Sequence, residues 1–166
     1  MTKRKNVDDV TSNIPGSDGQ SRKYGMSTLA VHAGARPDPV TGARGTPIYQ
    51  TTSFVFDDAE HGAELFNLQT FGYVYSRRTN PTVSVFEERV AQLEGGRGAV
   101  ATSSGHAAQF IAAATLMEAG DEFIASRNLY GGSVTQFGVS FPKLGWKCNF
   151  VDPTDPENFE KAMNDK

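Results

Sequence analysis

Two short runs in the chain combine residue types that could hold an anion and a flat ring. Ser103-Ser104-Gly105-His106 follows the apolar Ala99-Val100-Ala101 and opens an Ala-rich segment. That order predicts a buried strand, a small-residue turn and a helix start. Unpaired N–H groups and the helix dipole at such a start favour a phosphate. Asn128-Leu129-Tyr130-Gly131-Gly132 follows a second apolar stretch. Its Tyr130 offers a ring to stack on a planar ligand and a phenol to move a proton. Both turns also have a plain packing explanation, because many α/β proteins end a strand in Ser-Gly and aromatic rings mostly contribute burial. Tyr75 with Arg77 is a third candidate: the guanidinium can pair bidentately with a phosphate and the phenol can add a bond. The alternative there is a solvated loop with the arginine near a carboxylate.

Other chemistries find no footing. His106 has no Ser-His-Asp arrangement around it, so its backbone N–H counts for more than its imidazole. His32 and His61 lack partners at metal-ligand spacing. Ser103-Ser104-Gly105 is not the Gly-x-Ser-x-Gly elbow of hydrolases. No Gly-x-Gly-x-x-Gly and no Walker lysine is present, which disfavours dinucleotides and nucleoside triphosphates. The net charge of -3 provides no basic field for nucleic acid. Cys148 is the single cysteine, so an internal disulfide and a multi-cysteine metal site are excluded. No apolar run of membrane-spanning length and no signal-peptide core occurs, and a cytoplasmic setting is expected.

Positioning these residues requires alternating strands and helices. Residues 1–26 are polar and punctuated by Gly, Ser, Asn and Pro, which predicts a disordered leader with order beginning near Ser27. Residues 34–45 read as an irregular arm, and Thr46 to Phe56 as extended chain. Asp57-Asp58 starts a helix reaching Leu65-Phe66, with a carboxylate as N-cap. Asn80 and Pro81 then open a helix that Gly95-Gly96 closes. Val83, Phe86, Val90 and Leu93 share one face for core packing, while Glu87, Glu88 and Arg89 face water. Strands are expected at 99–101, 121–126 and 146–151. Between them run a helix to Gly120 and a helix-like segment to Pro142. Asp155-Pro156 caps a last helix with Phe159 and Met163 on one side. Such alternation is the pattern of a parallel sheet with crossover helices, in which ligands bind at the carboxyl ends of strands.

Four motifs in series carry a resemblance over about residues 27–166. They are Tyr75-Ser76-Arg77-x-x-Asn80-Pro81-Thr82, Leu93-Glu94-Gly95-Gly96, Ser104-Gly105-His106-Ala107-Ala108 and Leu129-Tyr130-Gly131-Gly132. The chain resembles the PLP-dependent Cys/Met metabolism enzymes, the cystathionine γ-synthase-like family. Within it, Val31-His32-Ala33-Gly34, Thr46 to Phe54 and Leu65 to Gln69 look most like the branch acting on O-acetylhomoserine. The resemblance implies PLP-dependent transferase fold type I (aspartate aminotransferase-like), an α/β fold present here in its N-terminal part. Residues 27–75 would be an arm for dimer packing, and 76–166 the first part of the large, mostly parallel-sheet, PLP-binding domain.

The same resemblance implies a cofactor, pyridoxal 5'-phosphate, with its phosphate on Ser104 and the N–H groups of Gly105 and His106. Many relatives carry Met where this chain has His106, an exchange that a backbone role tolerates. Tyr130 would stack on the pyridine and handle protons as a catalytic residue. Tyr75 and Arg77 would reach the phosphate of a neighbouring subunit in a homodimer or homotetramer. The implied reaction is γ-replacement on O-acetylhomoserine, in which acetate leaves and sulfide or a thiol adds, giving homocysteine with sulfide. An O-succinylhomoserine-using relative, a cystathionine γ-synthase or a methionine γ-lyase shares these motifs. None of the lysines sits in the family's Ser-x-Thr-Lys setting. The cofactor's lysine, the acidic partner of the pyridine nitrogen and the substrate-carboxylate arginine are therefore expected past Lys166. The chain alone is expected to be inactive, and a non-catalytic truncated subunit is the reading of another class.

Overall fold

The computed structural model describes residues 12–15 and 21–165. These fall into two compact units that divide between Ala101 and Thr102. In the first, β1 (Ser12–Pro15) pairs antiparallel with β2 (Ser21–Tyr24), Ser12 opposite Tyr24 and Pro15 opposite Ser21. This ladder lies where the sequence predicts disorder. The rest of the predicted leader before Tyr24 lies outside the described residues. Helix α1 (Met26–His32) starts after an extended Gly25 with no side-chain cap, at the point where the sequence expects order to begin.

Helix α2 (Ala59–Phe66) begins as expected: Asp58 accepts from the His61 N–H at 2.7 Å. Helix α3 (Pro81–Glu94) shows all three predicted boundary signals. Asn80 accepts from the Thr82 N–H, Pro81 fills the first position, and Gly95 closes the helix at φ 65°, a left-handed conformation that favours glycine. Its apolar stripe departs from expectation, because Val83 and Phe86 are exposed and Ala91 is the buried residue. Nor do the charged residues simply face water. Arg89 donates from Nε to the Ala33 carbonyl at 3.0 Å, and Glu87 accepts from the Ala101 N–H at 2.7 Å. The cause is local: α3 packs against α1, and Arg89 reaches the carbonyl left open at the end of that helix.

The extended stretch before α2 is tied to the start of α3 by a polar clamp. Asn80, 7% exposed, donates from Nδ2 to the Tyr49 carbonyl and to Ser76 Oγ, both at 2.9 Å. Thr82 Oγ1 donates to the Pro47 carbonyl at 2.8 Å and accepts from the Tyr49 N–H at 2.9 Å. Ser53 forms an antiparallel bridge with Tyr75, and Ser76 donates from Oγ to the Thr51 carbonyl.

In the second unit, α4 (Gly105–Leu116) leads to β3 (Glu122–Ser126). Helix α5 (Gly131–Thr135) then continues through a π-helical turn (Gln136–Ser140) and a 3-10 turn (Phe141–Leu144). Strand β4 (Lys147–Val151) and α6 (Glu157–Lys161) follow. β3 and β4 are parallel, with Glu122 opposite Lys147 and Ser126 opposite Val151. The strand expected at 99–101 does not form, and Val100 is 78% exposed. An apolar run becomes a strand only beside a partner edge, and none pairs with it among the described residues. Helix α4 ends at Leu116, before the Gly120 that the sequence had marked, and Met163 lies past α6 and exposed. The core of the unit is aromatic. Phe141, 1% exposed, lies between the rings of Trp146 at 5.1 Å, Phe137 at 5.3 Å and Phe123 at 6.1 Å.

Candidate functional site

The second unit places the two candidate turns side by side. Ser104 is extended, at φ -165° and ψ 163°, and its Oγ accepts from the Ala107 N–H at 3.1 Å. Its carbonyl accepts from Thr102 Oγ1 at 2.9 Å and from the Ala108 N–H at 3.0 Å. The serine is thus spent as an N-cap acceptor, while its hydroxyl proton stays available to donate. The N–H groups of Gly105 and His106 have no protein partner among the described residues. Both residues are exposed, and apart from chain neighbours and the helix's own backbone no atom lies within 4 Å of where a Cβ on Gly105 would stand.

Tyr130 stands at the start of α5, where its carbonyl accepts from the Ser133 N–H at 2.9 Å and the Val134 N–H at 3.1 Å. Its side chain is 76% exposed, and its ring centroid lies 5.9 Å from that of His106 at a tilt of 38°. A Cβ on Gly132 would come within 2.7 Å of both the His106 and the Tyr130 rings, so a larger residue there would push those rings aside. The imidazole of His106 packs against the phenol, and its backbone N–H is left without a partner among the described residues.

Three side chains that the sequence did not single out link these turns. Gln109 Nε2 donates to Ser133 Oγ at 2.9 Å, and Ser133 Oγ returns a bond to Gln109 Oε1 at 3.1 Å. Gln136 Nε2 donates to the His106 carbonyl at 2.9 Å. In sequence they are ordinary helix residues, and only their meeting across the fold gives them meaning.

The first unit holds Tyr75 and Arg77. The guanidinium sits over the Tyr75 ring, 5.4 Å from its centroid, and both side chains are exposed. Among the described residues no carboxylate pairs with Arg77, so the loop-carboxylate alternative has no partner here. The Tyr75 carbonyl accepts from the N–H groups of Arg78 at 2.9 Å and Thr79 at 3.1 Å, which curls the loop ahead of α3.

Charged groups near the strand ends are structural. Glu122 accepts from Asn149 at 2.7 Å, and from Lys147 and Asn164 at 3.0 Å each. Those bonds, Asn149's first, hold its carboxyl down at about 2. Asp152 is held at about 2 by bonds from Thr154 and then by Arg127. Burial pushes the Cys148 thiol up to about 11, which leaves it a poor nucleophile.

Among solved structures, the fold is similar to an O-acetylhomoserine (thiol)-lyase from Campylobacter jejuni carrying a pyridoxyl-lysine monophosphate. The TM-score is 0.81 at 34% identity, over 85% of this chain and 34% of that one. The architecture is accordingly PLP-dependent fold type I, in part. In sequence the chain is 51% identical over 152 residues to an O-acetyl-L-homoserine sulfhydrylase of Leptospira meyeri, covering 92% of this chain and 34% of the relative. It is 49% identical over 140 residues to a homocysteine synthase of Schizosaccharomyces pombe, covering 84% and 33%. The chain thus spans about a third of the length of the curated relatives it matches. The family model of the Cys/Met metabolism PLP-dependent enzymes matches residues 27–166, and the chain belongs to that family.

Proposed function

We propose that the protein carrying this chain is an O-acetylhomoserine sulfhydrylase. It replaces the acetate on the γ-carbon of O-acetylhomoserine with sulfide or a thiol, and with sulfide the product is homocysteine. One observation carries the reading at the site: two unspent N–H donors open beside an exposed tyrosine ring, all in one unit. The residues fit PLP, whose phosphate needs directed donors and whose flat ring needs a face. Identities near 50% to relatives named for this reaction support the substrate class.

In this reading Gly105, His106 and the Ser104 hydroxyl hold the phosphate. They do so with preformed backbone donors and the dipole of a capped twelve-residue helix. Tyr130 lies on the ring face, and its phenol holds or moves a proton beside it. Tyr75 and Arg77 close the phosphate cup from a neighbouring subunit, so the working unit is at least a homodimer. The stacking of Arg77 on Tyr75 pre-orders the guanidinium for that contact. Bound PLP supplies the electron sink that γ-replacement chemistry needs. The cytoplasm is the proposed compartment; no helix among the described residues is long and apolar enough to cross a membrane.

The test uses the protein expressed from its complete reading frame and supplied with PLP. Homocysteine formed from O-acetylhomoserine and sulfide supports the reading. Turnover of O-succinylhomoserine alone, or elimination that ignores added sulfide, assigns the reaction to one of the rival relatives. Failure to bind PLP removes the reading altogether.

A further inference from the structure

We propose that Gln109, Ser133 and Gln136 are positioning residues: a three-bond brace between α4 and the α5 segment that sets Tyr130 against the phosphate turn. The inference rests on the PLP reading above and adds to it the device that fixes the distance between its two halves. The need for such a device comes from where Tyr130 stands. It is the residue before α5, at the outer end of the helical run that continues through the π-helical and 3-10 turns, where the helix ladder does not yet hold its N–H. Its ring is largely exposed, so packing does not hold it either.

The brace answers both points. The reciprocal Gln109–Ser133 bonds join the middle of α4 to α5 three residues after Tyr130. Ser133 is 4% exposed, which shelters the pair from competing water. Gln136 grips the His106 carbonyl, on the first turn of α4, from the start of the π-helical turn. Inserted turns of that kind recur at functional sites. The His106 carbonyl is already inside a helix whose ladder can satisfy it, so the extra bond serves placement rather than helix formation.

The test compares wild type with Ser133→Ala, Ser133→Thr and Gln136→Met in the protein from the complete reading frame. PLP affinity, the visible circular dichroism per bound PLP, and the melting temperature without PLP are measured for each. Gln136→Met keeps length and loses the donor, so it guards against Ser133→Ala failing to fold. Losing one such bond should weaken PLP binding about three- to tenfold in Ser133→Ala and Gln136→Met. The dichroism per bound PLP should fall by about half or more, since ring stacking gives the cofactor its asymmetry. Ser133→Thr, which keeps the hydroxyl, should restore the signal. Wild-type affinity and dichroism in both Ser133→Ala and Gln136→Met would overturn the brace even if their melting temperatures drop. A wild type that binds no PLP would instead overturn the reading beneath it.

Discussion

The two units hold themselves together by different means. Before Ala101 the organising residue is Asn80, a buried polar side chain whose amide bonds Tyr49, Ser76 and Thr82. After Thr102 it is Phe141, a buried ring among four other aromatic rings. A polar clamp fixes register, because its bonds exist in one arrangement only. An aromatic cluster supplies burial and tolerates small shifts. The candidate residues follow the same division: Tyr75 and Arg77 lie on a loop set by hydrogen bonds, and the two turns with Ser104 and Tyr130 are carried by an apolar core.

Substitutions can separate these two modes. Phe141→Ala should be the most damaging, at about 3–5 kcal/mol of stability in denaturant titration. A loss below 1 kcal/mol would show that the aromatic cluster is not the core. Asn80→Ala removes the cap of α3 and leaves the Tyr49 carbonyl unpaired, for about 2–4 kcal/mol. Asn80→Asp keeps the cap acceptor but not the donor, and should recover about 1 kcal/mol of that. Equal losses from Asp and Ala would place the whole effect in the donor bonds and none in the cap.

Arg77→Ala should cost less than about 1 kcal/mol of stability, since an exposed cation over a ring contributes little. Its PLP dissociation constant should nevertheless rise about tenfold or more if it makes a charge-assisted phosphate contact. An unchanged constant would remove Arg77 from the site.

The mildest expected effect is pH-dependent. Glu122 is depressed to about 2 from an ordinary 4.5 by Asn149, Lys147 and Asn164. A carboxyl depressed by folding stabilises the fold above its unfolded value, and the contribution is lost as pH falls from about 4.5 towards 2. Glu122→Gln should therefore lower stability slightly at neutral pH, and that deficit should shrink as pH falls through the window, which flattens the acid limb of the stability curve.

How much of this was legible beforehand depends on the range of the interaction. The caps of α2 and α3 could be read because capping is local chemistry over three or four residues: Asp58, Asn80, Pro81 and Gly95. The turn at Ser104 and the tyrosine after β3 were legible for the same reason. Asn80's second role was not, since Tyr49 lies 31 residues away in sequence. Nor were the links from Gln109 to Ser133 and from Arg89 to Ala33, which need the tertiary fold to exist. The strand expected at 99–101 failed for a related cause: apolar composition favours a strand, but pairing decides it. The exposure of Val83 and Phe86 shows that helical periodicity marks an apolar face without saying what covers it.

The claim that matters most is that the first turn of α4 receives the phosphate of PLP through backbone N–H groups. Gly105→Pro tests it with little collateral change. Proline is favoured at the first helical position, and the extended Ser104 suits a following proline. The substitution removes one N–H and leaves the helix intact. In the protein from the complete reading frame, the PLP dissociation constant should rise about tenfold or more while the melting temperature without PLP holds within about 2 °C. A Gly105→Pro protein that binds PLP as tightly as wild type would contradict the account.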